Sequence, residues 1–187
     1  MRYLLSLVLG VTLLIFSSGA NAQSPGMLID AKPMRNAPAG MQAWQIRYIS
    51  TTDKGRPEEM TGVVIAPTGP PSRLGRPVIA WNHGAWGVDD KCTPSQAKNF
   101  FGATPGLKEA IARGYTVVAA DYAGLGTAPP HPFLIGSSTA HSVLDAVRAS
   151  RSIAEAGASS RFAVWGESQG GTPRYGPDKW RAVTPPN

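Results

Sequence analysis

Arg161-Phe162-Ala163-Val164-Trp165-Gly166-Glu167-Ser168-Gln169-Gly170 is the stretch on which the fold turns. Residues 161–165 form a short, mostly apolar run, the composition of a strand covered on both faces. It passes without a spacer into Gly166-Glu167-Ser168-Gln169-Gly170, a G-x-S-x-G pattern. At the end of a buried strand this pattern marks a sharp strand-to-helix turn that lifts a serine hydroxyl above the sheet. The positions two before and two after the serine then have no room for a side chain. In a chain with 21 glycines the pattern can also arise by chance and hold an ordinary structural serine. Its position directly after a strand is what makes Ser168 the candidate nucleophile.

Working outward, residues 77–81 and 115–120 contain the apolar runs Val-Ile-Ala-Trp and Val-Val-Ala-Ala, again as expected of buried strands. Between the strands lie two helical patterns, residues 106–113 closed by Gly114 and residues 138–153 closed near Gly157. In the second, Ala140, Val143, Leu144 and Val147 make one apolar stripe, which Arg148 and Arg151 then interrupt. The order strand, helix, strand, helix, strand predicts an α/β fold with a mostly parallel sheet, ending just after the nucleophile strand. Nearer the N-terminus, residues 24–40 read as a loop rich in Pro, Gly and Asn. Residues 43–50 read as a half-exposed strand, with Trp44, Ile46 and Tyr48 alternating against Gln45 and Arg47, and residues 60–65 as its neighbour across the turn Asp53-Lys54-Gly55.

Residues 1–22 are expected to be an address and not part of the fold. Met1-Arg2 is followed by an apolar run over residues 3–16 and by the small-x-small end Ala20-Asn21-Ala22. That run is shorter than the ~20 residues needed to span a bilayer, so it reads as a secretory signal peptide cleaved after Ala22, with no stable membrane insertion of the mature chain. The composition, 42% hydrophobic and 16% charged, is too apolar for disorder. The net charge of +6 comes from scattered Lys and Arg with no two adjacent, which argues against a nucleic-acid partner. No histidine pair has metal-ligand spacing, so neither a metal nor a cofactor is expected. A single cysteine, Cys92, excludes an intrachain disulfide; in an exported chain it is either a buried thiol or one whose partner lies elsewhere.

The second concentration of chemistry is Asn82-His83-Gly84-Ala85-Trp86-Gly87, directly after the strand at 77–81. An H-G-x-x-G loop in that place can aim a backbone N–H, that of Ala85, at a developing oxyanion, beside the N–H of Gln169. His83 invites reading as a catalytic base, but a histidine ahead of the glycine of such a loop more often supports it through hydrogen bonds, with Gly84 giving close backbone approach. His131, in Pro129-Pro130-His131-Pro132-Phe133, reads as a loop residue, and His141 as half of a solvent-facing pair with Asp145.

Three strings, AWNHGAWGVDDKCTPS (residues 80–95), GYTVVAADYAGLGTAPPHPFLIGSSTAHSVLDAVRASRSI (residues 114–153) and VWGESQGG (residues 164–171), together resemble the secretory lipase family of α/β-hydrolases. The resemblance covers roughly residues 60–171. It implies an exported esterase or lipase that acts on carboxylic, acylglycerol-like esters through a Ser-Asp-His triad and needs no cofactor. It assigns Ser168 as nucleophile, Gln169 as its oxyanion-hole neighbour and the His83-Gly84 loop as the source of the other donor. Cys92 corresponds to a family cysteine that pairs with one further along. A non-catalytic secreted binding protein, or a peptide or thioester hydrolase of the same fold, is the alternative.

The family order is Ser, then Asp or Glu, then His, but after Ser168 the chain has no histidine and one acid, Asp178. Residues 172–187 break in composition, with Pro173, Pro177, Pro185 and Pro186 where a helix should follow the serine. Back-translated with permitted codons and one G restored, residues 171–181 read Gly-His-Ala-Ala-Leu-Trp-Thr-Gly-Gln-Val-Ala, an Ala-rich helix start that resembles the family's continuation. The expectation is therefore a signal peptide over 1–22, the N-terminal part of an α/β-hydrolase domain over 23–171, and an out-of-frame tail over 172–187. Such a chain would be truncated of its acid and base, and inactive by itself.

Overall fold

The computed structural model describes residues 23–128 and 130–171; the expected signal peptide and the tail lie outside the described residues. Six strands, β1 (Leu28–Pro33), β2 (Met41–Thr51), β3 (Pro57–Pro67), β4 (Arg76–Asn82), β5 (Thr116–Ala120) and β6 (Ala158–Gly166), form one sheet in the order β1-β2-β3-β5-β4-β6. Helix α1 (Leu107–Ala112) lies between β4 and β5, and α2 (Gly136–Ser150) between β5 and β6.

The sheet is mixed where a mostly parallel one was expected. β4 runs parallel to β5 and to β6, but β3 is antiparallel to β5, and β1 and β2 continue antiparallel. The helix-linked strands are parallel because crossover connections return the chain to the same end, whereas β2 and β3 are joined by a short turn that permits only antiparallel pairing. β1 corrects the reading of residues 24–40 as loop. Its Leu-Ile-Asp-Ala-Lys-Pro sequence has little alternation, and it is a strand because β2 offers it an edge.

Two apolar layers enclose the sheet. On one face Trp44, Ile46, Tyr48, Val64, Val78 and Val118 pack with Val143, Ala146 and Val147 of α2. On the other, Val63, Ile65, Trp81 and Val117 pack with Leu107, Ala110 and Ile111 of α1. The burial of α2 does not stop at Arg148: Ala149, Ser150 and, beyond the helix, Ile153 are also buried. The pairing of His141 with Asp145 in solvent is likewise overturned. Asp145 is 2% exposed, accepts from Ser50 Oγ at 2.7 Å and pairs with Arg148, while His141 Nδ1 lies 3.0 Å from the Thr51 carbonyl oxygen. These two residues sew the helix to the end of β2.

At the opposite end from the serine, Arg76 is 6% exposed and has no carboxylate partner among the described residues. Its guanidinium donates to four carbonyl oxygens: Pro67 (3.4 Å) and Gly69 (2.7 Å) before β4, and Glu155 (3.3 Å) and Ala156 (3.2 Å) before β6.

Candidate functional site

β4 and β6 end side by side, with Trp81 opposite Trp165 and Asn82 opposite Gly166. The chain leaves β6 through Glu167 into a single 3-10 turn, residues Ser168–Gly171. Ser168 sits at φ 48, a left-handed conformation that costs a non-glycine residue of order 1 kcal/mol and that clusters at working sites. The neighbours show why the turn is closed by glycines. A Cβ on Gly166 would stand 2.6 Å from the Gly170 carbonyl oxygen and 2.8 Å from Asn82 Cβ, and one on Gly170 would overlap the Asn82 carbonyl and lie 2.8 Å from its Cβ. Gly171 has open space in that direction.

Asn82, which the sequence did not single out, is thus the surface against which the turn is folded. It is fully buried; its carbonyl accepts from Glu167 N–H at 3.2 Å and its Nδ2 donates to the Gly170 carbonyl at 3.3 Å. The next residues are the predicted oxyanion loop. A Cβ on Gly84 would be 3.5 Å from Ser168 Cβ, so the His83-Gly84 backbone runs beside the serine. His83 is buried, and its Nδ1–H donates to the Gly84 carbonyl at 2.7 Å. Burial pushes its pKa down to about 4, against the pull of the surrounding Gly84, Ala120 and Asp121 carbonyls. Ala85 is exposed in the same loop, Gln169 is buried and Ser168 is exposed.

A third segment, following β5, braces the other two. Asp121 is 1% exposed, accepts from Ser95 N–H at 2.8 Å and from Thr61 Oγ at 2.7 Å, and is pushed up to about 6 by burial, which outweighs those hydrogen bonds. Tyr122, at φ 70, stacks on His83 with ring centroids 4.1 Å apart and donates its hydroxyl to the His83 carbonyl at 2.9 Å. His131 is not the incidental loop residue that its sequence context suggested. It is 9% exposed, with Nδ1 2.6 Å from the Ala123 carbonyl oxygen and Nε2 2.8 Å from Gln169 Nε2.

A cleft of about 320 Å³, lined by Val88, Asp89, Asp90, Gly124, Thr127 and Ala128, opens between the loops after β4 and β5, at the carboxyl ends of the parallel strands. That is the edge at which open α/β sheets take ligands. A larger hollow of about 460 Å³ at Gln42, Pro70, Pro71 and Glu155 lies where β4 and β6 begin, away from the serine. Cys92 is a free, half-buried thiol packed against Gly87. Among the described residues no three His, Cys, Asp or Glu side chains gather as a metal site, and no helix is long and apolar enough to cross a membrane.

The family model of the secretory lipases matches residues 104–176. The match spans α1, β5, α2, β6 and the serine turn. Solved structures agree on an α/β-hydrolase fold. The ligand-bound rice cell wall degrading esterase LipA of Xanthomonas oryzae superposes with a TM-score of 0.64 at 23% identity, covering 79% of this chain and 44% of that one. Candida antarctica lipase A in its closed state gives 0.62 at 18% identity, covering 83% and 38%. A putative hydrolase of Legionella pneumophila gives 0.56 at 24% identity, covering 71% and 36%. The chain thus spans less than half the length of these structures. No curated protein matches the chain significantly.

Proposed function

We propose that the protein is a secreted serine hydrolase of the esterase or lipase type, with Ser168 as nucleophile. The observation that carries the reading is Ser168 at φ 48, in a turn whose flanking glycines have no room for a Cβ, beside the backbone of Gly84. In this reading Ser168 Oγ attacks the carbonyl carbon of a carboxylic ester, and the oxygen that becomes negative is held by the N–H groups of Gln169 and Ala85. Collapse of the tetrahedral adduct expels the alcohol and leaves an acyl-serine, which water then hydrolyses. His83 supports the loop. A ring with its pKa pushed down to about 4 is neutral at physiological pH and poorly matched to general-base work there.

The secretory lipase match and the named activities of LipA and lipase A support an ester substrate and export; the reading of residues 1–22 as the removed signal rests on their sequence, a short apolar run ending in Ala20-Asn21-Ala22. In this reading the triad acid and base lie in the reading frame restored by one G in the run at Gly170-Gly171, with residues 172–187 an out-of-frame tail. The test is hydrolysis of p-nitrophenyl esters of increasing chain length, with peptide and thioester substrates alongside, by protein made from the gene with one G restored at that point. Ser168→Ala should lower ester turnover by at least about 10⁴-fold while leaving the fold intact. Turnover that survives the substitution removes Ser168 from the mechanism.

A further inference from the structure

His131 is buried beside the candidate nucleophile turn and has no part in the reading above. Its Nδ1 lies 2.6 Å from the Ala123 carbonyl oxygen, which can only accept, so Nδ1 carries a proton and donates. In the neutral ring Nε2 is then a bare acceptor, and it faces Gln169 Nε2 at 2.8 Å, a donor. The two bonds therefore select one tautomer and one orientation of the Gln169 amide. The ring is held from other sides as well. Its own carbonyl accepts from Phe133 N–H at 2.9 Å, the Phe133 ring meets it edge-on at a centroid distance of 6.1 Å, and Tyr122 lies nearly parallel at 6.4 Å.

The turn after β5 consequently reaches both sides of the serine. Tyr122 Oη donates to the His83 carbonyl, on the loop that carries Gly84 and Ala85, and the Ala123 carbonyl anchors His131, which holds Gln169.

We propose that His131 is a positioning residue, which fixes Gln169 through its side chain so that the Gln169 backbone N–H stays aimed at the substrate oxygen. Its importance follows from geometry: donors to an oxyanion act only when already in place, and small misplacements are expensive in rate. The aim at a substrate oxygen rests on the reading of Gln169 as an oxyanion donor, but the fixing of Gln169 does not.

The experiment is ¹⁵N NMR on the full chain. In the unsubstituted protein the His131 imidazole nitrogens should show a protonated Nδ1 and an unprotonated Nε2, and the Gln169 backbone amide should be rigid, with an order parameter of about 0.85. His131→Asn can still donate to Ala123 but is too short to accept from Gln169; its Gln169 order parameter should fall below about 0.6. His131→Gln, whose carbonyl oxygen reaches the position of Nε2, should restore rigidity. A protonated Nε2 in the unsubstituted chain overturns the proposal, and this measurement needs no variant to fold. A Gln169 amide equally rigid in His131→Asn also overturns it. Neither readout depends on turnover, so absence of ester hydrolysis in the restored-frame protein would count against the proposed function and leave the positioning of Gln169 to be judged by the spectra.

Discussion

β3 and β6 lie in the same sheet and are built in opposite ways. β3 is paired on both sides, by β2 and β5, and its residues from Met60 to Ala66 are all buried. β6 is paired only with β4 among the described residues, and none of its residues is buried; Trp165, last but one, is 46% exposed. The candidate site hangs from β6. Burial therefore does not hold Ser168 in place. What holds it is the close packing of Gly166 and Gly170 on Asn82 and the side-chain hydrogen bond between Gln169 and His131. One region gains its stability from apolar area removed from water, the other its shape from steric exclusion and a few hydrogen bonds.

The contrast breaks most sharply at Gly170. Gly170→Ala puts a methyl group into the Asn82 backbone, which cannot yield without dragging β4 with it, and should destabilise the chain by about 5 kcal/mol, while Gly171→Ala, with open space, should be near neutral. Urea denaturation of the two variants side by side measures the difference; equal stabilities would mean that the turn is not packed on Asn82.

Next in size is a matched pair of truncations. Ile65→Ala, in the fully buried part of β3, should cost about 4 kcal/mol, and Val164→Ala, half-buried on β6, about 1 kcal/mol. Comparable losses would contradict the claim that the two strands are stabilised differently.

A smaller effect sharpens the comparison at the strand ends. His83, held near 4 and ordinarily near 6.5, makes the fold lose stability as pH falls through that interval, because unfolding then takes up a proton. Asp121, held near 6 and ordinarily near 3.8, does the reverse: its contribution is fully present below 3.8 and is lost as pH rises to 6. The two oppose each other over nearly the same window. Asp121→Asn removes one of them, so between pH 6.5 and pH 4 the variant should lose on the order of 3 kcal/mol relative to the unsubstituted chain. Denaturation curves at several pH values give this directly, and parallel profiles would show that Asp121 does not titrate in the fold.

These differences also explain what the sequence could disclose. β3 to β6, both helices and the serine turn were legible because their cues are local: apolar runs, a helical stripe, and glycines two residues either side of a serine. The expected covering of residues 161–165 on both faces is overturned, since β6 pairs with β4 alone among the described residues and none of its residues is buried. β2 was legible through Trp44, Ile46 and Tyr48, whose alternation survives in the middle of the strand. β1 was missed because its residues carry no period, and the antiparallel junction of β3 with β5 because pairing order leaves no local trace. His131 and Gln169 are 38 residues apart. Nothing in Pro130-His131-Pro132 announces that its ring reaches the serine turn, and Asn82 was hidden beside the more conspicuous His83. Asp145 was misread because a helical i, i+4 relation to His141 is visible in sequence, whereas Ser50, the partner it finds on β2, is not.

Arg76 predicts an order of events in folding. Its guanidinium joins carbonyls at 67 and 69 to carbonyls at 155 and 156, so half of its hydrogen bonds wait on a stretch some 80 residues away. Until that long loop closes, β4 begins with a cation that must stay in water, and the desolvation of its start is opposed. The base of β4 and the start of β6 are therefore expected to be completed together, and later than the β2–β3 hairpin, whose contacts are near in sequence.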